Sequence, residues 1–516
     1  MSSSTQAASS SKPSPVVVSS RRRLGVLAVA FLIVAASAPL TVVAGGVTST
    51  FSVTHVAGVP VSFLLLAAVL AIFAVGYAAM SRFIRNAGAF YSYVAQGIGR
   101  PAGVGASVVA LVAYNMMQIG IYGMFGFQVS MLIVEKTGAD IAWWAPVLVC
   151  IAIVGWMGVN RVDLSAKVLG VLVALEFVVV IAFDIVAFAV PASGLSTAPL
   201  DLSGLFVPGV GAVFAFGVAA FMGFESAAIY GEESKDPQRT IPRATFLAVA
   251  VIGVFYAVSS WALALAIGVG KVVDPAGIAP EEAGPPLFFG FVAANMGTIW
   301  VDLMSLLFIT SIFAALVSFH NAVARYVFSL AREGVLPDRL AAVRHRTGAP
   351  WAGSITQSIF AAAVVIAFAI GEAGWNPDSG PYPVLTLFTW LTNSGALGLV
   401  LLMAIVSVAV IGYFRRDDRG VGIGSRLLAP IVAAVALAAV FVTILANFDV
   451  LLGQAESTMT TFLLPALVIV PGVIGVLWAY RLRSTKPNVY RQIGHGADTG
   501  ENLLGVDDAE ATVRND

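Results

Sequence analysis

The chain is 516 residues long, 59% hydrophobic and only 11% charged, with no net charge and a mean hydropathy of +0.92. Soluble globular proteins carry about a quarter charged residues, so the solvent for most of this sequence is lipid. A single cysteine, Cys150, excludes an intrachain disulfide and a cysteine-rich metal or iron–sulfur site. The four histidines, His55, His320, His345 and His495, show no ligand spacing, so no metal and no cofactor are expected.

Residues 1–20, rich in Ser, Ala and Val, read as a disordered tail. The stretch SSRRRLGVLAVAFLIVAASAP (19–39) has the outline of a twin-arginine signal peptide. Pro39 directly follows the cleavage-like triplet at 36–38, however, and the chain stays hydrophobic for hundreds of residues beyond it, so this stretch is expected to remain as the first span. Apolar segments of about 20 residues, enough to cross a bilayer, recur at 24–50, 59–80, 103–134, 141–159, 166–190, 208–230, 244–269, 298–329, 353–371, 384–411, 427–446 and 459–480. These twelve spans predict an all-α polytopic membrane protein. Its transmembrane domain covers 21–480, with spans one to five over 24–190, six to ten over 208–411, and eleven and twelve over 427–480. The tail at 481–516 opens basic (Arg481, Arg483, Lys486, Arg491) and ends acidic and polar. Gly209-Val210-Gly211 lacks the context of a nucleotide loop.

Orientation follows from the basic residues, which concentrate in cytoplasmic loops. With the N-terminus inside, Arg21–Arg23, Arg82, Arg85, Arg100, Arg161, Lys167, Lys235, Arg239, Arg243, the arginines of 325–346, Arg415, Arg416, Arg419, Arg426 and the tail cluster all lie inside. Only Lys136 and Lys271 fall outside. Both termini are therefore expected in the cytoplasm of a multi-pass protein of the cell membrane.

Two spans carry signs of a mid-membrane interruption, which lipid tolerates only around a cavity. In the first, AASAPLTVVAGGV (35–47), Pro39 either kinks one helix or opens a new one with Ser37 or Ala38 as its cap. A restart would turn the N–H groups of Leu40, Thr41 and Val42 toward a substrate carboxylate. In the sixth, FGVAAFMGFESAAIYGEE (216–233), Gly217 and Gly223 weaken the helix between Phe221 and Phe224. A break at Met222-Gly223 would leave carbonyls for an ammonium group. Glu225 just beyond it would act in coupling or gating, or simply hold the unwound segment. Equivalent breaks in spans one and six are what two inverted five-helix halves would produce, although no residue-level repeat is visible.

The stretch FMGFESAAIYGEESKDPQRTIPRA resembles the hallmark of amino acid permeases of the amino acid–polyamine–organocation superfamily. Similar in kind are RNAGAFYSYVAQGIGRPAG (85–103), NRVDLSAK (160–167) and ARYVFSLAREGVLPDRL (324–340). The resemblance covers roughly 21–480. It implies a leucine-transporter-type fold: a 5+5 inverted repeat plus two helices, with helices one and six discontinuous. It implies substrate held by Ser37, Ala38, Pro39, Leu40 and Thr41 together with Phe221, Met222, Gly223 and Phe224. It also implies a cytoplasmic gate loop formed by Glu232, Glu233, Lys235, Asp236, Arg239 and Arg243. Two departures stand out. The family's Gly-Ser/Thr-Gly at the first break is replaced by Pro39-Leu40-Thr41. Where some members carry a helix-five lysine, the position counted from Lys167 is Glu176. Glu176 would then carry a coupling proton, or ligate sodium with Thr310 and Ser311. Asp184 and Asp302 are weaker candidates. Tyr122 and Trp261 are candidate lining aromatics, and Asn115, Gln118 and Asn393 are buried polar groups that either join helices or meet substrate.

The expected function is a secondary active amino acid permease working by alternating access, with protons the first choice of coupling ion and sodium the second. Its partners are the small-molecule substrate, that ion and the bilayer. Alternatives on the same fold are an amine or polyamine carrier, an exchanger, and, more remotely, a sensor that binds without translocating. An enzyme is disfavoured, because neither a nucleophile beside a base nor a metal-ligand spacing is visible. Substrate identity and oligomeric state are not legible.

Overall fold

The computed structural model describes residues 25–84, 89–160, 166–225, 234, 236–344, 347–454 and 456–494. The N-terminal tail, Glu232, Glu233, Lys235 and the end of the C-terminal tail lie outside the described residues. In chain order, α1 (Val26–Ala36) is followed by a π-helical segment (Thr41–Val47) that runs into α2 (Thr48–Thr54). Next come α3 (Val59–Ser81), α4 (Ala89–Gly97), α5 (Arg100–Thr137), α6 (Trp144–Asn160), α7 (Ala166–Ala189) and α8 (Val210–Phe221). The second half holds α9 (Pro237–Ile267), α10 (Val269–Val273), α11 (Pro285–Asn295), α12 (Thr298–Arg332) and α13 (Trp351–Gly371). It closes with α14 (Thr389–Phe414), α15 (Ala429–Ala446), α16 (Phe448–Leu451), α17 (Met459–Thr485) and α18 (Pro487–Gln492).

Among the described residues, ten of the twelve expected spans coincide with helical runs long and apolar enough to cross a membrane, and those at 141–159 and 208–230 coincide with the shorter apolar helices α6 and α8. α8 is short because it stops at the expected break, and the rest of that span (226–230) is not described. The pattern of apolar stretches did not indicate α4 and α11, which lie outside the long spans.

The bundle closes through small residues, as membrane helices do without a hydrophobic drive to associate. A methyl group at Gly120 on α5 would sit 2.9 Å from the Thr392 nitrogen of α14, and one at Gly395 would sit 2.8 Å from the Ala113 carbonyl oxygen. The lipid-facing side of α15 and α17 is correspondingly apolar, with Val435 and Phe462 exposed.

Charge divides the ends of the bundle. Lys136 pairs with Glu135 at 2.9 Å and Asp302 at 2.5 Å, while Lys271 pairs with Glu282 at 2.6 Å. The two basic residues expected on the outer side are thus both neutralised by acidic neighbours. Asp302 is accounted for by an exposed ion pair. At the opposite end, the C-terminal segment is packed rather than loose. Ile493 is 1% exposed, and the Gly494 N–H donates to the Tyr91 hydroxyl at 2.9 Å and to Glu333 at 3.3 Å.

Candidate functional site

The first interruption lies where proline predicted it. α1 ends at Ala36, Ser37 forms a turn, and Ala38 adopts φ +49°, a left-handed conformation that costs a non-glycine residue about 1–2 kcal/mol. Helical geometry resumes at Pro39-Leu40 and widens into the π-helical segment. Such turns leave the α-helical hydrogen-bond pattern and occur often at functional sites. Tyr256 of α9 clamps the turn, with its hydroxyl 2.9 Å from Ser37 Oγ and donating to the Ser37 carbonyl at 3.2 Å.

The restarted helix does not offer all its N–H groups to a ligand. The Leu40 N–H donates to Glu176 Oε2 at 3.2 Å, and the Val42 N–H to the Ala38 carbonyl at 3.1 Å. Ser311 of α12 donates to the same Glu176 oxygen at 2.8 Å, and the Thr41 hydroxyl donates to Ser311 Oγ at 2.9 Å. Glu176 on α7 therefore supplies the first carboxylate at this helix start, which sequence reasoning had reserved for substrate. Thr310 is not part of the cluster, because its hydroxyl donates within α12 to the Leu307 carbonyl at 2.9 Å.

The second interruption follows α8. Met222 is extended (φ −57°, ψ 136°) and Gly223 sits at φ +108°, a conformation that favours glycine. A methyl group there would also lie 3.1 Å from Ala36 Cβ, so the two breaks touch. Glu225, 6% exposed, folds its side chain back over the break. Oε2 accepts from the Gly223 N–H at 2.9 Å, Oε1 accepts from the Tyr114 hydroxyl of α5 at 2.5 Å, and Tyr77 of α3 donates to the Glu225 carbonyl at 3.2 Å.

A cavity of about 60 Å³ lies at the junction. Of the expected substrate-site residues, Ser37, Ala38, Thr41 and Met222 line it, whereas Pro39, Leu40, Phe221, Gly223 and Phe224 do not. Phe221 and Phe224 are fully buried and pack on Phe63 and Phe73 of α3, with ring centroids 6.3 and 6.1 Å apart. Neither Glu176 nor Glu225 reaches the wall. Sequence reasoning missed the contributions of Thr50, Met117, Phe319 and Thr392. Their facing depends on helix rotation, for which the apolar stretches carry no signal.

The remaining candidates are dispersed. Asp184 accepts from Ser259 at 2.8 Å and is buried between α7 and α9. Asn115 and Asn393 donate to carbonyls of their own helices, while Gln118 joins α5 to α13 through Gln357 at 2.5 Å. Tyr122 accepts from Gln118 at 3.4 Å, and the Trp261 indole donates to the Ser196 carbonyl at 2.8 Å. In the charged loop, Asp236 precedes α9 and lies 3.8 Å from Arg239, with side chains 53% and 78% exposed. Arg243 is exposed. Glu232, Glu233 and Lys235 are outside the described residues.

Two interrupted helices meeting over an internal cavity, within a multi-pass bundle, define a membrane carrier. The sequence model of the amino acid permease family matches residues 24–474, and the chain belongs to that family. It is thus a transporter of the amino acid type. No curated protein matches the sequence.

Proposed function

We propose that the protein is a proton-coupled permease for small, uncharged amino acids, working by alternating access between inverted five-helix halves in a twelve-crossing bundle. Both termini are assigned to the cytoplasm of a cell-membrane protein. That assignment is supported by the basic end around Arg100, Arg332 and Arg416 and by the pairing of Lys136 and Lys271 with acidic residues.

The observation that carries the reading is the composition of the cavity wall. It offers hydroxyls at Ser37, Thr41, Thr50 and Thr392 among apolar side chains, and no charged group. A substrate with a net positive charge would lose its hydration there without an ionic partner, which is costly. A zwitterion brings its own counter-charge, and Ser37, Ala38 and Met222 bring both helix breaks to the wall. This favours an amino acid over an amine or polyamine. The cavity, about 60 Å³, is narrow and walled mainly by apolar side chains, which favours a substrate with a small side chain.

Coupling follows from where Glu176 sits. Its carboxylate occupies the Leu40 N–H, and the next residue, Thr41, lines the cavity and reaches the same carboxylate through Ser311. A substrate carboxylate arriving at that helix start meets a like charge, worth about 2–3 kcal/mol over roughly 5–8 Å at an effective dielectric of about 20. A proton on Glu176 removes the repulsion, so substrate and proton enter together. Glu225, held by Tyr114 and Gly223, keeps the second break open and acts as a positioning residue.

The test is uptake of a labelled amino-acid panel into proteoliposomes with an inward proton gradient and no sodium. Accumulation of glycine- to alanine-sized substrates that collapses with the gradient supports the proposal. Exchange in preloaded vesicles without gradient-driven accumulation would make the protein an antiporter, and competition by amines would overturn the zwitterion argument.

A further inference from the structure

At the basic end of the bundle, away from both helix breaks, a groove of about 450 Å³ opens between three parts of the chain. The α4–α5 junction contributes Arg100, the end of α14 contributes Tyr413, the segment after it contributes Arg416, Asp417 and Arg419, and the C-terminal segment contributes Tyr490. Three arginines face one aspartate. Asp417 lies 3.6 Å from Arg419, and the neighbouring Asp418 is taken by Arg426 at 3.1 Å. Arg416 makes no ion pair among the described residues.

Two of the three guanidinium groups are held by aromatic rings. Arg100 lies over Tyr490 at 5.6 Å, and Arg419 lies over Tyr413 at 4.7 Å and Phe83 at 5.1 Å. Stacking restrains a planar guanidinium while leaving its N–H edge free, which suits bidentate recognition of phosphate. A floor of fixed guanidinium groups with excess positive charge is an anion site. Its volume is far larger than an inorganic ion needs.

We propose that this groove binds a phosphorylated organic anion, the chemistry shared by an anionic phospholipid head group and a soluble phosphate ester. The ligand bridges the C-terminal segment to the bundle. That segment is already anchored at its end, where Ile493 is buried against the groove and the Gly494 carbonyl accepts from Gln96 at 3.1 Å while its N–H meets Tyr91 and Glu333. A ligand across Arg100, Arg416 and Arg419 adds a second hold at Tyr490, so binding is read out as order in residues 486–494.

The test uses the full-length protein in nanodiscs and follows trypsin cleavage after the exposed Arg491. Three conditions are compared: phosphatidylcholine alone, phosphatidylcholine with phosphatidylglycerol, and phosphatidylcholine with added glycerol 3-phosphate. Ligand at ten times its Kd should slow cleavage about ten-fold by suppressing local opening. Protection by the lipid only identifies a head-group site, and protection by the soluble ester identifies a metabolite site. Either supports the groove if Arg416→Gln abolishes the protection and Asp417→Asn retains it. Arg416 is exposed, so its variant should elute and take up substrate as the parent does. The proposal is overturned if neither phosphate compound changes cleavage. Undiminished protection of Arg416→Gln would also overturn it, since the effect would then be general surface charge.

Discussion

Glu176→Gln separates a coupling carboxylate from a structural one. Both donors that reach Glu176, the Leu40 N–H at 3.2 Å and the Ser311 hydroxyl at 2.8 Å, converge on Oε2. A glutamine can place its carbonyl oxygen at that point and keep both bonds. What is lost is their charge assistance, about 1 kcal/mol per bond, against which stands the relief of no longer burying a charge. The variant should therefore fold and retain substrate binding. Alanine is the wrong probe, since it strands the Leu40 N–H at a further cost of about 1–3 kcal/mol and confounds stability with transport. The assay is accumulation in proteoliposomes under a one-unit pH gradient. At one proton per substrate, that gradient is worth about 1.4 kcal/mol and supports an approximately ten-fold concentration ratio. The parent should approach this ratio, whereas Glu176→Gln should equilibrate near unity while still exchanging substrate across preloaded membranes. A ten-fold ratio in the variant would refute the reasoning and leave Glu176 as a cap for the restarted helix.

Other expectations follow from the same geometry. Gly223→Ala places a methyl group 3.1 Å from Ala36 Cβ at φ +108°, which should cost about 1–2 kcal/mol and lower the thermal unfolding midpoint; an unchanged midpoint would mean that the break relaxes freely. Tyr114→Phe removes the donor to Glu225 Oε1 and should destabilise by about 1–3 kcal/mol, more than Tyr77→Phe, whose hydroxyl reaches only a backbone carbonyl at 3.2 Å. Ala315→Leu adds three carbons to the wall of the cavity of about 60 Å³; KM should rise roughly ten-fold or more, about 1.4 kcal/mol, with helical content by circular dichroism unchanged. Asp302→Ala breaks an exposed pair with Lys136, whose neighbour Glu135 remains, so the unfolding midpoint should hold within about 1 kcal/mol.

The spans were legible because lipid forces long apolar runs, and the first break was legible because Pro39 cannot continue a helix. Gly223 was legible because glycine weakens a helix, although Gly217 carries the same signal and stays inside α8; the φ of +108° at Gly223 is seen only in the fold. The lining of the cavity was not. Phe221 and Phe224 flank the second break in sequence, yet both turn into the α3 aromatics, while Thr50 and Thr392 face the cavity from helices that carry no local mark. Which side of an apolar helix meets the cavity is set by packing against all its neighbours at once. The same limit hid Tyr114 and Tyr256, whose hydroxyls hold the two breaks from distant helices. Counting from Lys167 located Glu176, but only the fold shows that its oxygen lies on the Leu40 N–H.

That contact changes the meaning of the substitution of Pro39-Leu40-Thr41 for the family's small-residue break. A helix start with every N–H free would bind a carboxylate whether or not a proton came with it. Here one N–H is already held by an internal carboxylate, and the cavity residue beside it communicates with that carboxylate through Ser311. An anionic group in the cavity and an ionised Glu176 compete for the same positive helix end. Reciprocity then requires that a proton on Glu176 strengthen substrate binding by the factor with which substrate strengthens protonation. A repulsion of about 2–3 kcal/mol corresponds to roughly a thirty- to hundred-fold effect. Substrate affinity in the parent should accordingly rise as pH falls through the titration of Glu176, and Glu176→Gln should hold the protonated-state affinity at every pH. Isothermal titration at several pH values measures both slopes, and a parallel pH dependence in the two proteins would place the coupling proton elsewhere.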